Sequence, residues 1–354
     1  MTTLKFQQIN PSPCASNTKP LPRSSHGLSI IQNGSLLVLY GGENIARTPI
    51  RDASQVLWLA KKTSDCGWQW IVPTTKNTSS TPPSRVAHAQ AAVGNTIYVF
   101  GGRNGIEMGE NAMNDMWMLE IDENDGTARP TAKWTQINAP DDTIPSARSF
   151  HKMIAIGTNL YIFGGCGADG RLNDLWKFDT LTYKWTELGV SNVLRGRGGP
   201  NILSLNSNKK IAIMAGFAGE ETNDGHVYSL SSEEWEKEGM KGLEEMRPRS
   251  VCCFASMPVV NKCVIFGGEV DPSQKGHEGA GGFERDVVIL DGTSGTVIET
   301  LQPSSISGDE EWPGNRGWAD AAVHEDTFYL FGGLAGDDAS PIRLDDLWQC
   351  KVSP

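Results

Sequence analysis

The stretch FGGEVDPSQKGHEGAGGF, running from Phe266 to Phe283, places Glu269, Asp271 and His277 in one short glycine-rich segment. Two carboxylates and an imidazole with open positions beside them are a recognised way to hold iron(II). Glu269 and Asp271 stand at i and i+2. In extended backbone both therefore project to one face, and His277 can return across the glycines. The same residues admit a plainer reading. Asp271 and Pro272 occupy the first two positions of a favourable β-turn, in which Asp271 caps the turn and His277 is a solvated loop histidine. Both readings stand until the surrounding elements are known.

Those elements repeat. A glycine pair follows a short apolar run in LLVLYGG, IYVFGG, LYIFGG, CVIFGG and FYLFGG, with a worn copy, IAIMAG, ending at Gly216. An arginine precedes each: Arg23, Arg85, Arg148, Arg197, Arg249 and Arg316. The first position of each pair (41, 101, 164, 215, 267, 332) falls 16 or 18 residues after its arginine. The runs are too short for helices and rich in β-branched and aromatic residues, which predicts strands buried on both faces. Downstream come NDMWMLEI and NDLWKFDT, then KWTQI and KWTEL, so each unit holds about four strands, the length of a propeller blade. Trp117, Trp134, Trp176, Trp185 and Trp235 are expected to pack between blades. The predicted blades cover residues 20–75, 82–138, 145–189, 194–238, 246–300 and 313–354 of one domain spanning 1–354. The last lacks a fourth strand, and residues 4–9 resemble the missing one, so the N-terminal segment is expected to close the ring and remove its open edges. The insertions ENIARTPIRDAS, GIEMGENAM and EVDPSQKGHEGAGGFER all follow glycine pairs and so share one rim.

The formal net charge of −11 argues against nucleic acid or an anionic membrane as partner. No apolar run approaches a membrane span, and the N-terminus shows no signal-peptide core. Seven cysteines with no C-x-x-C pair read as reduced thiols, so the expected location is cytoplasmic. His26, His88 and His151 each follow a repeat arginine by three residues. Blades at the same phase hold such rings apart, which predicts a structural role rather than a shared metal.

These motifs resemble the kelch family, an all-β class of six-bladed β-propellers with a glycine pair and spaced aromatics in each blade, and the resemblance covers essentially the whole chain. Within that group the chain looks most like the plant specifier proteins (epithiospecifier, nitrile-specifier and thiocyanate-forming proteins). The resemblance is carried by RGRGG at 195–199, PRSV at 248–251, GGEV at 267–270, GHEGAG at 276–281 and RGW at 316–318. It implies iron(II)-assisted, lyase-type breakdown of a glucosinolate aglycone to a nitrile or related product. The family's metal loop carries Glu, Asp and His at four-residue steps. Here Glu269 and His277 match, the middle position is Ser273, and Asp271 lies two residues earlier. The resemblance also implies a substrate-facing Arg103 that holds the sulfate of a small anionic metabolite, with Phe150 and Trp318 packing the substrate's variable side chain. Copper radical oxidases on related folds need tyrosine ligands, and the tyrosines here lie largely in the buried strand runs. Two other functions remain open at this point: a kelch module that binds a protein through its rim loops, and an enzyme of the same scaffold with an unrelated substrate.

Overall fold

The computed structural model describes residues 2–14, 18–76, 80–105, 112–123, 129–303 and 311–354, and the backbone alone of His277. The insertion expected after Gly102 falls largely on 106–111, outside the described residues. Six four-stranded antiparallel sheets form the blades, and blade 2 gains Thr74–Lys76 as a parallel fifth strand at its outer edge. Their innermost strands are Gly27–Ile31, Ala89–Val93, Lys152–Ile156, Asn201–Leu205, Cys253–Met257 and Asp320–His324, and each touches the next around a closed circuit. Blade 6 is completed from the other end of the chain. Thr3–Ile9 runs antiparallel to Pro341–Ser353 in unbroken register from Thr3↔Ser353 to Ile9↔Leu347. Leu4 and Phe6 alternate into one core while Ile9 enters another, and that burial fixes the register.

The repeat arginine is the keystone of each blade. Its Nη1 donates to the carbonyl at the first glycine-pair position: Gly41, Gly101, Gly164, Ala215, Gly267 or Gly332. Its Nε donates to the carbonyl two residues upstream. In blades 2 to 6 both terminal nitrogens also grip an aspartate: Asp115, Asp174, Asp224, Asp286 and Asp346. Bidentate pairing suits the planar guanidinium and satisfies a charge that is almost wholly buried. Three of these aspartates accept a further bond from an indole two residues on, at Trp117, Trp176 and Trp348. The N-D-x-W and D-D-x-W motifs are therefore one hydrogen-bonded unit.

Blade 1 departs from this pattern. Val56 stands where the others carry aspartate, since its carbonyl accepts from Gly41 N as Asp115's does from Gly101 N. Arg23 is left with backbone carbonyls, and burial pulls its pKa down to about 9.

The apolar cores lie between blades. One joins Leu36, Val38, Tyr40 and Leu59 of blade 1 to Trp117 and Trp134 of blade 2, and another joins Tyr98 and Phe100 of blade 2 to Trp176 and Trp185 of blade 3. The three repeat histidines serve the same seams. His26, His88 and His151 are buried edge-on against Phe331, Tyr40 and Phe100 of the preceding blade. Burial holds all three below the ordinary histidine range.

Candidate functional site

Two positions in every blade build one end of the channel. The residue after each glycine pair forms a ring: Glu43, Arg103, Cys166, Phe217, Glu269 and Leu334. Each is held by a bridge to the residue after the repeat arginine, in the pairs Ser24–Glu43, Val86–Arg103, Ser149–Cys166, Gly198–Phe217, Ser250–Glu269 and Gly317–Leu334. All six ring residues line a single cavity of about 290 Å³. The second position lies two residues after each arginine: Ser25, Ala87, Phe150, Gly199, Val251 and Trp318. All six have φ between 49° and 60°, the left-handed region. Phe150, Gly199, Val251 and Trp318 floor the same cavity.

Charge is divided across the cavity. On the side of blades 2 and 3, Arg103 sits 5.0 Å from the centre of the Phe150 ring, and Arg171 sits 4.6 Å from that of Phe217. Aromatic faces hold guanidinium groups while leaving their edges able to donate. Phe150 in turn meets Trp318 edge to face at 5.4 Å. Glu269 stands opposite, on blade 5, which faces blade 2 across the circuit, and Glu43 stands on blade 1 beside Arg103. Glu43 is paired with Arg343 and accepts from Ser24 Oγ and Arg47 N. Glu269 has no basic partner among the described residues. Burial pushes its carboxyl up to about 7, against hydrogen bonds from the amides of Ser273 and Gly281. Behind Ser250, whose hydroxyl bonds Glu221 Oε1 at 3.1 Å, burial also pushes Glu221 up to about 8.

Of the residues expected from sequence, Arg103, Phe150, Trp318 and Glu269 come together on this cavity, and Ser273 lines it as well. Asp271 does not join them. The pairing of Glu269–Asp271 with Gly282–Phe283 shifts register between Glu269 and Asp271, so the i, i+2 rule for a regular strand fails there. Asp271 is exposed and ion-paired with Arg247 at 2.7 Å, a corrected position for a residue expected to share the Glu269 face. The side chain of His277 lies outside the described residues. Its backbone is in the short 3-10 turn Gly276–Glu278, and Gly276 lines the cavity. Among the described residues no group of three His, Cys, Asp or Glu side chains is placed to hold a metal. Glu43, Cys166, Arg171, Phe217, Val251 and Leu334 were not singled out from sequence. All except Arg171 occupy the same two repeat positions as Arg103 and Phe150, so counting along the repeats finds them.

The fold and this cavity mark the chain as a kelch-repeat propeller. It belongs to that family: the profile described as the KLHDC2/KLHL20/DRC7 Kelch-repeats domain matches residues 2–130 and 82–268. The chain is 29% identical to the N-(sulfonatooxy)prop-2-enimidothioate sulfolyase of Thlaspi arvense over 84% of this chain and 83% of that one. It is also 29% identical to Adagio protein 3 of Arabidopsis thaliana over 68% of this chain and 38% of that one. It is 23% identical to the human leucine-zipper-like transcriptional regulator 1, covering 77% of this chain and 30% of that one. The solved structure described as "Structure of YjhT" superposes with a TM-score of 0.64 at 14% identity, covering 95% of this chain and 98% of that one, a likeness of fold alone. No helix of the described residues is long and apolar enough to cross a membrane.

Proposed function

We propose that this chain is a specifier-like kelch protein acting on a small sulfated, sulfur-containing metabolite, with a glucosinolate aglycone breaking down to a nitrile or related product as the reaction. The observation that carries this reading is the division of one cavity into an arginine side and a buried carboxyl side across an aromatic floor. The relative of similar length, whose name describes cleavage of a sulfonatooxy imidothioate, supports it. Arg103 binds the sulfate through the edge of its guanidinium, and Arg171 adds positive potential beside it. Phe150 and Trp318 pack the variable side chain and exclude water. The free cysteines are consistent with a reducing, cytoplasmic setting.

Iron(II) is part of the proposal. On the carboxyl side Glu269 offers a divalent ion one anionic donor, because it is buried, turned to the cavity and, among the described residues, not neutralised by a basic side chain. His277 is the imidazole of the same loop. When bound, the ion supplies Lewis-acid affinity for the substrate's sulfur. The protein's own part is to orient the sulfate leaving group opposite that sulfur.

The test is product analysis with a glucosinolate hydrolysed in place by a thioglucosidase. The wild-type protein should divert product from isothiocyanate to nitrile. Arg103→Ala should abolish the diversion without changing the unfolding midpoint. Failure of the wild type to divert any of several glucosinolates sinks the reading. A kelch interaction module is then the second reading, favoured by the exposed Ile45 and Ile342 on the hairpins that flank the cavity.

A further inference from the structure

The glycine-rich loop is carved around two carboxylates, and only one of them is its own. Asp338 belongs to blade 6, at the tip of the hairpin joining Thr327–Gly336 to Pro341–Ser353. Asp337 shapes that tip by accepting from the amides of Ala339 and Ser340, both at 2.8 Å. Asp338 reaches across to the blade 5 loop. Its Oδ1 accepts from the Ser273 hydroxyl, its Oδ2 from Gln274 N at 3.2 Å, and its carbonyl from Lys275 Nζ at 2.6 Å. The amide of Ser273 meanwhile donates to the Glu269 carboxylate. Residue 273 thus lies between the two acids, bonded to both.

The glycines follow from this arrangement. A Cβ at Gly279 would lie 2.2 Å from both Asp338 Oδ1 and Ser273 Oγ, and one at Gly281 would lie 2.0 Å from the Asp271 carbonyl and 2.6 Å from Glu269 Oε1. Neither glycine has a positive φ, so backbone freedom is not what selects it. At Gly279 a side chain would fill the space beside Asp338, and at Gly281 it would meet the Asp271 backbone and the Glu269 carboxylate together. Asp271, the nearest acid in sequence, is tied to Arg247 and takes no part.

We infer that Asp338 supplies, from the neighbouring blade, the carboxylate absent at Ser273, and that Glu269 and Asp338 together ligate the divalent ion at this loop. The inference rests on the iron reading proposed above. It changes the site from one carried on a single loop to one shared between blades 5 and 6, so loop and hairpin must be apposed for the ion to bind. On binding, the Asp338 carboxylate exchanges the Ser273 hydroxyl for the ion. That exchange is favourable for a hard divalent cation, for which a carboxylate is a far better donor than a neutral hydroxyl.

The experiment is anaerobic iron(II) titration of the wild type, Glu269→Gln, Asp338→Asn and Ser273→Ala, with limited proteolysis of the loop 272–281 in the metal-free proteins. Asparagine keeps an oxygen that accepts from Ser273 and Gln274, so the metal-free loop should be cut at the wild-type rate. Iron affinity should fall at least about tenfold in Glu269→Gln and in Asp338→Asn, and hold in Ser273→Ala. Equal iron affinity in wild type and Asp338→Asn overturns the inference and leaves the iron reading intact. Faster cutting of metal-free Asp338→Asn makes Asp338 a latch rather than a ligand, which also overturns it. A wild-type chain that takes up no iron overturns both.

Discussion

The amide of Ser25 donates to the carbonyl of Trp318 at 2.8 Å, joining blade 1 to its neighbour blade 6 around the axis. The bond is one of six. Ala87 donates to Ser25, Phe150 to Ala87, Gly199 to Phe150, Val251 to Gly199 and Trp318 to Val251, at 2.8–3.0 Å. The six left-handed residues form a closed circuit of backbone hydrogen bonds at the cavity floor. Left-handed backbone costs a residue with a side chain roughly 1–2 kcal/mol, so five of the six positions are strained and hold only while the circuit is closed. Phe150 and Trp318 owe their place in the floor to that closure.

Strand Thr3–Ile9 is therefore coupled to the site, although it lies at the outer edge of blade 6. Deleting residues 1–10 exposes the edge of Pro341–Ser353 and uncovers Phe328, Leu330 and Cys350 in the core that Leu4 and Phe6 share. The expected result is a lowered thermal midpoint, together with weakened ligand binding at the cavity. A calorimetric midpoint equal to that of the full chain would mean that the strand is dispensable.

The five arginine–aspartate pairs are chemically alike but not equally buried, which ranks them. Asp286 is 5% exposed and Asp224 is 46% exposed. Removing the partner of a buried guanidinium leaves an uncompensated charge. Asp286→Ala should cost about 3–5 kcal/mol, whereas water can replace much of the lost carboxylate in Asp224→Ala, so that change should cost about 1 kcal/mol. Denaturant midpoints of the two variants read the difference directly, and a reversed order would refute the burial argument.

Stability should fall on both sides of mildly acid pH. Burial alone would raise Asp115, Asp174, Asp224 and Asp346, but the arginine hydrogen bonds and charges outweigh it and leave all four below the ordinary aspartate range. Their contribution is complete above the unfolded pKa of about 3.9 and is lost as the pH falls through the depressed folded values. Glu221 has the opposite sign. Its folded pKa of about 8 exceeds the unfolded value, so the folded state is progressively disfavoured as pH rises from the ordinary glutamate range toward 8. Thermal midpoints from pH 2 to 9 should show both arms. Glu221→Gln should reduce the upper arm to the part that Glu269, pushed up to about 7, contributes, and leave the acid arm in place.

The propeller was legible in the sequence because its signals are local and repeated six times. Arginine-to-glycine spacing, the D-x-W unit and the missing last strand each report a backbone hydrogen bond or a packing seam. The cavity was legible only in part, and for a physical reason. Arg103 and Glu269 occupy a repeat position, so register alone carries them to one ring around the cavity, and it carries Glu43, Cys166, Phe217 and Leu334 there too. Asp271 was misplaced because a register shift is a tertiary accommodation that alternation does not encode. Asp338 was invisible because it reaches the loop from another blade, 65 residues from Ser273.

Blade 1 offers the last prediction, because it breaks the rule that the other five obey. Arg23 is fully buried, donates only to carbonyls, and has its pKa drawn down to about 9 by desolvation, while Val56 fills the position of the missing acid. Val56→Asp should restore the pair in a setting where backbone and arginine are already placed. The new carboxylate must itself be desolvated and the valine's apolar contacts are lost, so the net gain is the excess of a bidentate, charge-assisted pair over those costs, about 1–2 kcal/mol. The size of the gain also depends on pH. The wild-type penalty is present wherever Arg23 is charged in the fold and fades as pH rises through about 9. The midpoint difference between Val56→Asp and wild type should therefore be largest near neutrality and shrink above pH 9. The same substitution paired with Arg23→Met should show no gain at all, because a lone buried carboxylate is then the only change. A stabilised Val56→Asp that keeps its gain in the Arg23→Met background would show that the aspartate acts on something other than Arg23.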